Sequence, residues 1–188
     1  MIDAVARDHP GERVELWFMD EARVGQKGGV THVWYQKGTR PRGPRQRGFA
    51  SAYLFGAVCP ERGEGLALVL PEVSTAAMDV FLELSRAVPA GTHVALALDG
   101  AGWHVSDDLT VPADLTLIHP PPHSPELDPV ERVWGYLRDR WLGHRVLAGG
   151  YEAVVDAACA AWNALLAEPG RPRSLTNFPW LPPAVSIS

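Results

Sequence analysis

The sequence predicts an α/β fold in which helices cover both faces of a mixed sheet. Short strand-like runs separated by Gly- and Pro-rich turns fill the first third of the chain, as in an antiparallel meander. Later apolar runs alternate with helical patterns, and continuous apolar runs are typical of strands buried on both faces. Strands that first meander and then alternate with helices predict a mixed sheet.

Four strands are predicted in the first third of the chain. The first is the β-prone apolar run Val14–Met19, which we expect to end at Asp20 and Glu21. The others are Val30–Tyr35, Ala52–Val58 and Gly65–Leu70. The Gly- and Pro-rich segment Gly38–Gly48 interrupts them and cannot form a central strand or a stable helix.

The rest of the chain predicts three helices and two buried strands. Ser74 is a suitable N-cap for the first helix, which ends near Pro89. The strands and the two later helices are, in chain order, Val94–Leu98, Leu115–Ile118, Pro129–Leu142 and Tyr151–Leu166. We therefore predict one domain over residues 14–168, after a stub at 1–13 and before an irregular Pro-rich tail at 169–188.

Composition excludes several classes of protein. Apolar residues form 46% of the 188 residues, so the chain can bury a core. Cys59 and Cys159 are far apart and lack CxxC spacing, which excludes a cysteine-based zinc motif and a disulfide framework; we expect both to be buried. The sequence shows no membrane span and no signal peptide, which predicts a cytoplasmic protein with no membrane partner.

Charge is distributed unevenly along the chain. A net charge of −5 disfavours nucleic-acid binding when it is considered alone. One segment is basic throughout and contains no acid; its charged residues are Lys37, Arg40, Arg42, Arg45 and Arg47. Such a cluster either contacts phosphates or is a solvated loop, and the pattern alone favours the solvated loop.

Three acids occupy positions where this fold would form a site. Asp20 and Asp99 follow predicted strands, and Glu131 lies in the first turn of a predicted helix. Singly, each has a simpler explanation, because Asp is common in turns and Glu is favoured at helix N-termini. Together, at the carboxyl ends of strands, they would repel one another unless a cation neutralised them. Carboxylates suit Mg²⁺ or Mn²⁺, and two such ions can support phosphodiester cleavage.

Three segments carry a family resemblance: Leu16–Gly25 (LWFMDEARVG), Leu98–His104 (LDGAGWH) and Pro122–Trp134 (PHSPELDPVERVW). They resemble the insertion-sequence 630 family of bacterial transposases, within the mariner superfamily. The last segment is the most specific, since its SPxLxPxE pattern and following Trp are improbable by chance. The resemblance extends over roughly residues 14 to 166.

This resemblance implies an RNase H-like fold with Asp20, Asp99 and Glu131 as catalytic residues and as the ligands of Mg²⁺ or Mn²⁺. The implied activity is cleavage of DNA at transposon ends, followed by strand transfer into target DNA. Two residues depart from the family pattern, where Asn is usual at both positions: Gly100 and Asp128. Asp128 could be the N-cap of the helix or a fourth ligand.

The resemblance also implies partners. Double-stranded DNA, as transposon ends and as target, would be bound by a homo-oligomer. The family's N-terminal helix-turn-helix region would be encoded separately or be missing, because few residues precede Val14. His104 matches a family histidine and would contact DNA or support the site. Trp103 is a candidate for base stacking, although burial is the better interpretation; Trp34 is expected near the core.

Two other functions remain open at this point. The chain could be a catalytically silent remnant that only binds DNA or dimerises, with its acids preserved by recent descent. It could also be another RNase H-like nuclease that acts on RNA–DNA hybrids or junctions. His119 and His123 form a weak zinc signal for which loop packing is the better explanation.

Overall fold

A computed structural model describes residues 2–27, 34–39, 48–85, 91–121, 128–143, 145–182 and 184–186. Its centre is a six-stranded sheet whose main path runs β3-β2-β1-β4-β5, with β6 paired to β1. The strands are β1 (Arg13–Gly25), β2 (Ser51–Cys59), β3 (Glu64–Leu70), β4 (Thr92–Ala97), β5 (Leu115–Ile118) and β6 (Val185–Ser186). The first three strands are antiparallel, and β4 and β5 continue the sheet in parallel with β1.

The described residues form five α-helices: α1 (Ile2–Asp8), α2 (Thr75–Ser85), α3 (Val130–Leu137), α4 (Gly150–Ala167) and α5 (Arg171–Thr176). A π-helical segment, Arg138–Leu142, continues α3. None of the helices in the described ranges is long and apolar enough to cross a membrane. The antiparallel start and the later alternation of strands and helices confirm the predicted mixed sheet.

Strand β1 separates two layers of core because successive side chains point to opposite faces. Trp17 and Met19 pack against α2 on one face. Phe18 and Val24 pack against α3 and α4 on the other face. The helix α1 covers the beginning of the strand on this second face, where its apolar residues meet Val14.

The structure corrects the predicted length of the first strand. We expected it to end at Asp20, but β1 continues to Gly25. The continuation is paired residue by residue with β2, from Asp20 opposite Gly56 to Gly25 opposite Ser51. Cross-strand hydrogen bonds therefore outweigh the interruption of the apolar pattern by two acids.

Both termini contain more structure than the sequence suggested. The expected stub at 1–13 holds helix α1, whose Ile2, Val5 and Ala6 are buried. The tail at 169–188, expected to be irregular, contains α5 and the short strand β6. The helix begins after Gly170 with a proline in its first turn, a favoured position for proline.

Three smaller predictions were wrong or lie outside the described residues. Cys59 is buried as expected, but Cys159 is exposed on α4. Trp34, expected near the core, is fully exposed. Most of the predicted strand Val30–Tyr35 falls outside the described residues, and Trp34 and Tyr35 are not in a strand.

Candidate functional site

Asp20 lies within β1, on the face covered by α3 and α4. Its Oδ2 accepts a hydrogen bond of 2.8 Å from Nε1 of Trp134, a buried residue of α3. The Trp134 ring packs against Trp162 of α4, with ring centroids 6.0 Å apart. A helix packed on the sheet thus holds one oxygen of Asp20.

Space for this contact comes from Gly56 on the neighbouring strand. Gly56 is the partner of Asp20 in the β1–β2 ladder. A Cβ atom at this position would lie 2.6 Å from the ring of Trp134 and 3.1 Å from that of Trp162. Glycine is therefore the residue that lets both indole rings rest on the sheet beside Asp20.

Asp99 lies beside Asp20 at the carboxyl end of the parallel strands. The last ladder pair between β1 and β4 is Phe18 opposite Ala97, and each acid follows its member of that pair by two residues. The Asp99 side chain is 70% exposed. Its Oδ1 accepts a hydrogen bond of 3.0 Å from the backbone N–H of Ala101, which shapes the loop after β4.

Glu131 occupies the first turn of α3, as predicted. It is exposed and precedes Trp134 by about one helical turn, so the two residues lie on the same side of the helix. Its negative charge contributes to raising the pKa of Asp20. Glu131 is therefore within electrostatic range of the Asp20 carboxylate.

Burial and neighbouring negative charges raise the pKa values of two acids in this group. Burial is the main cause that raises the pKa of Asp20 to about 6, although hydrogen bonds from Trp134 and the backbone oppose it. Burial also raises the pKa of Asp128 to about 7, and the charges of Asp20, Glu131 and Asp99 add to the shift. Asp128 Oδ1 accepts a hydrogen bond of 2.9 Å from the N–H of Val130, the first residue of α3.

Lys and Arg do not compensate these charges within the part of the chain that the structure describes. There, neither residue type forms a salt bridge with any of the four acids, which are Asp20, Asp99, Asp128 and Glu131. Carboxylate oxygens are the ligands that Mg²⁺ and Mn²⁺ prefer, so this donor set fits a divalent cation. The site is wider than a compact single-ion site, because the oxygens of Asp20, Asp99 and Glu131 do not all lie within 4.8 Å of one another.

Glu21 reaches the opposite face of the sheet and meets His104. The His104 ring is 1% exposed, and its Nε2 lies 2.8 Å from Glu21 Oε1. Its Nδ1 lies 2.8 Å from Asp99 Oδ1, so the ring bridges the two acids. Burial alone would lower the pKa of His104, but the hydrogen bond and charge of Glu21, with those of Asp99, outweigh burial and raise it. Trp103 donates a second hydrogen bond of 3.1 Å to Glu21.

Sequence reasoning assigned no role to Glu21. Glu21 follows Asp20 directly in the sequence. Because successive side chains of a strand point to opposite faces, the sequence already places Glu21 on the face opposite Asp20. His104 was predicted to contact DNA or to support the site, and its burial between two acids favours support. His119 Nδ1 lies 3.2 Å from the backbone oxygen of Asp99, which is loop packing; His123 lies outside the described residues.

The predicted DNA-binding segment is only partly described. Lys37 is exposed in a turn, and Tyr35 near it is also exposed. The other basic residues of the segment, Arg40, Arg42, Arg45 and Arg47, lie outside the described residues.

Comparison with known proteins gives one family and one fold. A family model described as "DDE superfamily endonuclease" matches residues 15–149. The uncharacterized protein y4pE/y4sA of Sinorhizobium fredii is 48% identical over 130 residues, which are 69% of this chain and 96% of that protein.

Two of the similar solved structures are complexes of Mos1 transposase. The paired-end complex with the left transposon end has a TM-score of 0.59 at 14% identity, and the match covers 93% of this chain and 54% of that chain. The Mos1 mariner paired end complex with Mn has a TM-score of 0.54 at 14% identity, covering 87% of this chain and 56% of that one. This chain therefore spans just over half the length of the Mos1 chains, and the likeness confirms the predicted RNase H-like fold.

Proposed function

Because the chain belongs to the DDE superfamily endonucleases, we propose that it is the catalytic domain of a DNA transposase. It would cleave DNA at transposon ends and transfer the strand ends into target DNA. The observation that carries this proposal is that Asp20 and Asp99 lie side by side where the parallel pairing of β1 with β4 ends, with no Lys or Arg bound to either acid among the described residues. Open α/β sheets bind their ligands at this edge.

Asp20, Asp99 and Glu131 are the residues that would hold Mg²⁺ or Mn²⁺. When bound, such ions supply a more acidic water or 3′-hydroxyl and neutralise charge on the phosphodiester. Support comes from the raised pKa values of Asp20 and Asp128, for which burial is the main cause and the charges of neighbouring acids add to the shift. A Mos1 complex of similar fold is described as containing Mn.

Side chains on both faces of the sheet orient these acids. Trp134 fixes one oxygen of Asp20 from the helical side. The buried His104, held by Glu21, fixes one oxygen of Asp99 from the other side of the sheet. We propose that His104 is a positioning residue and does not contact DNA, since both ring nitrogens are engaged in the protein.

Double-stranded DNA is the proposed substrate, and the basic residues from Lys37 to Arg47 are proposed to contact its phosphates. Base readout would come from a helix-turn-helix region outside this catalytic domain, in a homo-oligomer assembled on DNA. Affinity of this chain alone should depend steeply on salt, because each phosphate contact releases bound counterions. Tight binding of the isolated chain to one specific sequence would contradict this assignment.

A strand-cleavage assay tests the proposed function. The substrates are short duplexes from the DNA that flanks the coding frame, incubated with Mg²⁺, with Mn²⁺, with Ca²⁺ or with EDTA. We expect cleavage with Mg²⁺ and Mn²⁺, little with Ca²⁺, none with EDTA, and none for Asp99→Ala. Asp107→Ala, which removes an exposed acid from the same loop, is the matched control and should cleave normally.

The same assay separates the other functions. A folded chain that binds DNA but never cleaves it would be a silent remnant. Faster cleavage of RNA–DNA hybrids than of duplex DNA would indicate another nuclease of this fold. Full activity of Asp99→Ala would contradict the metal site itself.

A further inference from the structure

A second cluster of metal-binding side chains lies at the other end of β4 from Asp99. It consists of His9, Glu12 and His93, whose ligand atoms all lie within 4.8 Å of one another. His93 precedes Asp99 by six residues along β4, which corresponds to roughly 20 Å at the rise of a β-strand. The cluster is therefore separate from the proposed catalytic carboxylates.

A tight turn between α1 and β1 brings His9 and Glu12 together. The backbone N–H of Glu12 donates a hydrogen bond of 3.2 Å to the carbonyl oxygen of His9. Pro10 and Gly11 occupy the centre of the turn, and Gly11 has a φ of 85°. Proline followed by a residue with positive φ is the signature of a type II turn. The two ligand side chains are thus placed by the backbone, with Nδ1 of His9 3.7 Å from Oε1 of Glu12.

His93 contributes a buried nitrogen atom that lacks a partner. Its side chain is 1% exposed, and its Nε2 forms a hydrogen bond of 2.8 Å with Thr116 Oγ1. Its Nδ1 has no hydrogen-bond partner. Glu12 Oε2 lies 3.9 Å from this atom, which is beyond hydrogen-bonding distance. Buried polar atoms are rarely left unsatisfied, so this nitrogen needs an explanation.

We propose that His9, Glu12 and His93 bind a Zn²⁺ ion. In the tautomer whose Nε2–H donates to Thr116 Oγ1, the lone pair of the His93 ring lies on Nδ1, the atom nearest Glu12. Such outer hydrogen bonds commonly orient histidine ligands. Ligand atoms around a tetrahedral zinc are about 3.4 Å apart. The gaps from Glu12 to His9 and to His93, 3.7 and 3.9 Å, exceed this value by about half an ångström or less, and the ligand atoms of the two histidines lie within 4.8 Å of each other.

Binding would require one ring to turn. The rings of His9 and His93 are stacked, with centroids 3.5 Å apart and an interplanar angle of 23°. An ion must lie near the plane of each ring that binds it, so the stack must open. His9 is the ring free to turn, because its side chain is 27% exposed whereas His93 is fixed by Thr116.

The two ends of β4 would then select different ions. Imidazole nitrogens suit Zn²⁺, whereas an oxygen-only group suits Mg²⁺ and Mn²⁺. Zinc at this position would join the turn after α1 to β4. It would thereby tie the helix α1 to the sheet, where Ile2, Val5 and Ala6 already pack.

Zinc binding by untagged protein tests the proposal. Metal-free protein is titrated with Zn²⁺ by calorimetry, and with Co²⁺ by visible absorption, in excess Mg²⁺ that occupies the carboxylate site. The Cys159→Ser background removes an exposed thiol as an alternative ligand. His9→Gln and Glu12→Gln are compared with two controls: His119→Gln, an exposed histidine elsewhere, and Asp8→Asn, an exposed acid beside the cluster. The test does not depend on DNA cleavage.

We expect one Zn²⁺ per chain and a rise in Tm on its addition, because a ligand of the folded state stabilises it. His9→Gln and Glu12→Gln should each weaken binding by at least about tenfold, while both controls bind like wild type. Asp20→Asn should also bind zinc normally. Absence of zinc binding, equal binding by His9→Gln, or loss of binding in Asp20→Asn would each overturn the proposal.

Discussion

Asp20 and Glu21 are neighbours of the same chemical class, yet β1 directs them to opposite faces of the sheet. Asp20 meets an indole N–H, the charge of Glu131 and the charge of Asp128. Glu21 meets a buried imidazole whose pKa is raised, so its charge is compensated. Asp99 shares that imidazole through Oδ1, whereas Asp20 has no cationic side-chain partner among the described residues. The difference shows that two neighbouring acids of one strand can differ in charge balance because they lie on opposite faces of the sheet.

Replacement of Asp20 gives the largest expected effect. Asp20→Asn keeps the hydrogen-bond acceptor for Trp134 but removes the charge, so the fold should survive while metal binding fails. A catalytic ion lowers the activation free energy by several kcal/mol, so the rate of strand cleavage should fall by about a thousandfold or more. Single-turnover cleavage rates measure the effect, and circular dichroism checks the fold. A loss smaller than tenfold would place Asp20 outside the metal site.

Replacement of Glu21 should have a smaller effect, because it acts through His104 on Asp99. Glu21→Gln retains an oxygen acceptor but leaves the imidazole without its main charged partner. Cleavage should fall about 10- to 100-fold, and excess Mn²⁺ should restore part of it, as for residues that orient metal ligands. Rates measured across Mn²⁺ concentrations test this. A loss that no Mn²⁺ concentration relieves would show that Glu21 does not act by orienting a metal ligand.

A substitution at Gly56, beneath Trp134, tests the packing on the Asp20 side of the sheet. Gly56→Ala would place a methyl group 2.6 Å from the Trp134 ring, so the indole must shift from Asp20. Overpacking of this kind costs about 1–3 kcal/mol of unfolding free energy. Urea denaturation measures that loss, and metal affinity should fall with it. Gly135→Ala, on α3 with open space around its Cβ, is the control and should leave metal affinity unchanged.

The pH dependence of stability is the smallest predicted effect. The pKa of Asp20 is raised to about 6 and that of Asp128 to about 7 in the folded protein without metal. Because the unfolded chain releases these protons near pH 4, stability is lost as pH rises from about 4 to about 7. Mg²⁺ binds the deprotonated carboxylates and should offset this loss of stability. The rise in Tm on addition of Mg²⁺ should therefore be larger at pH 8 than at pH 5. Equal gains at both values would contradict the assignment.

The sequence predicted the order of the main elements, with Asp99 after a buried strand and Glu131 in the first turn of α3. That the three acids together bind metal remains a prediction. The apolar run Val94–Leu98 and the apolar face of α3 follow from local patterns of apolar residues, which are visible in the sequence itself. The length of β1 was missed because pairing with β2, and not local composition, extends it beyond Asp20. Helix α1 was missed although Ile2, Val5 and Ala6 follow helical spacing, because the segment is short.

The contacts that organise the site could not be read from the sequence. Trp134 and Asp20 meet only because α3 crosses the sheet above Gly56. His104 reaches Glu21 because the loop after β4 turns back beneath β1. Both contacts join residues distant along the chain, so they depend on tertiary packing, which motif spacing does not encode.

The central claim is that Asp20, Asp99 and Glu131 hold divalent ions, and anomalous diffraction from crystals grown with Mn²⁺ tests it most directly. We expect anomalous peaks in contact with all three acids, on the face covered by α3. Glu21 should remain bound to His104 without contacting an ion. Peaks that bypass Asp20 and lie against Glu21, or crystals in saturating Mn²⁺ with no peak between the three acids, would contradict it.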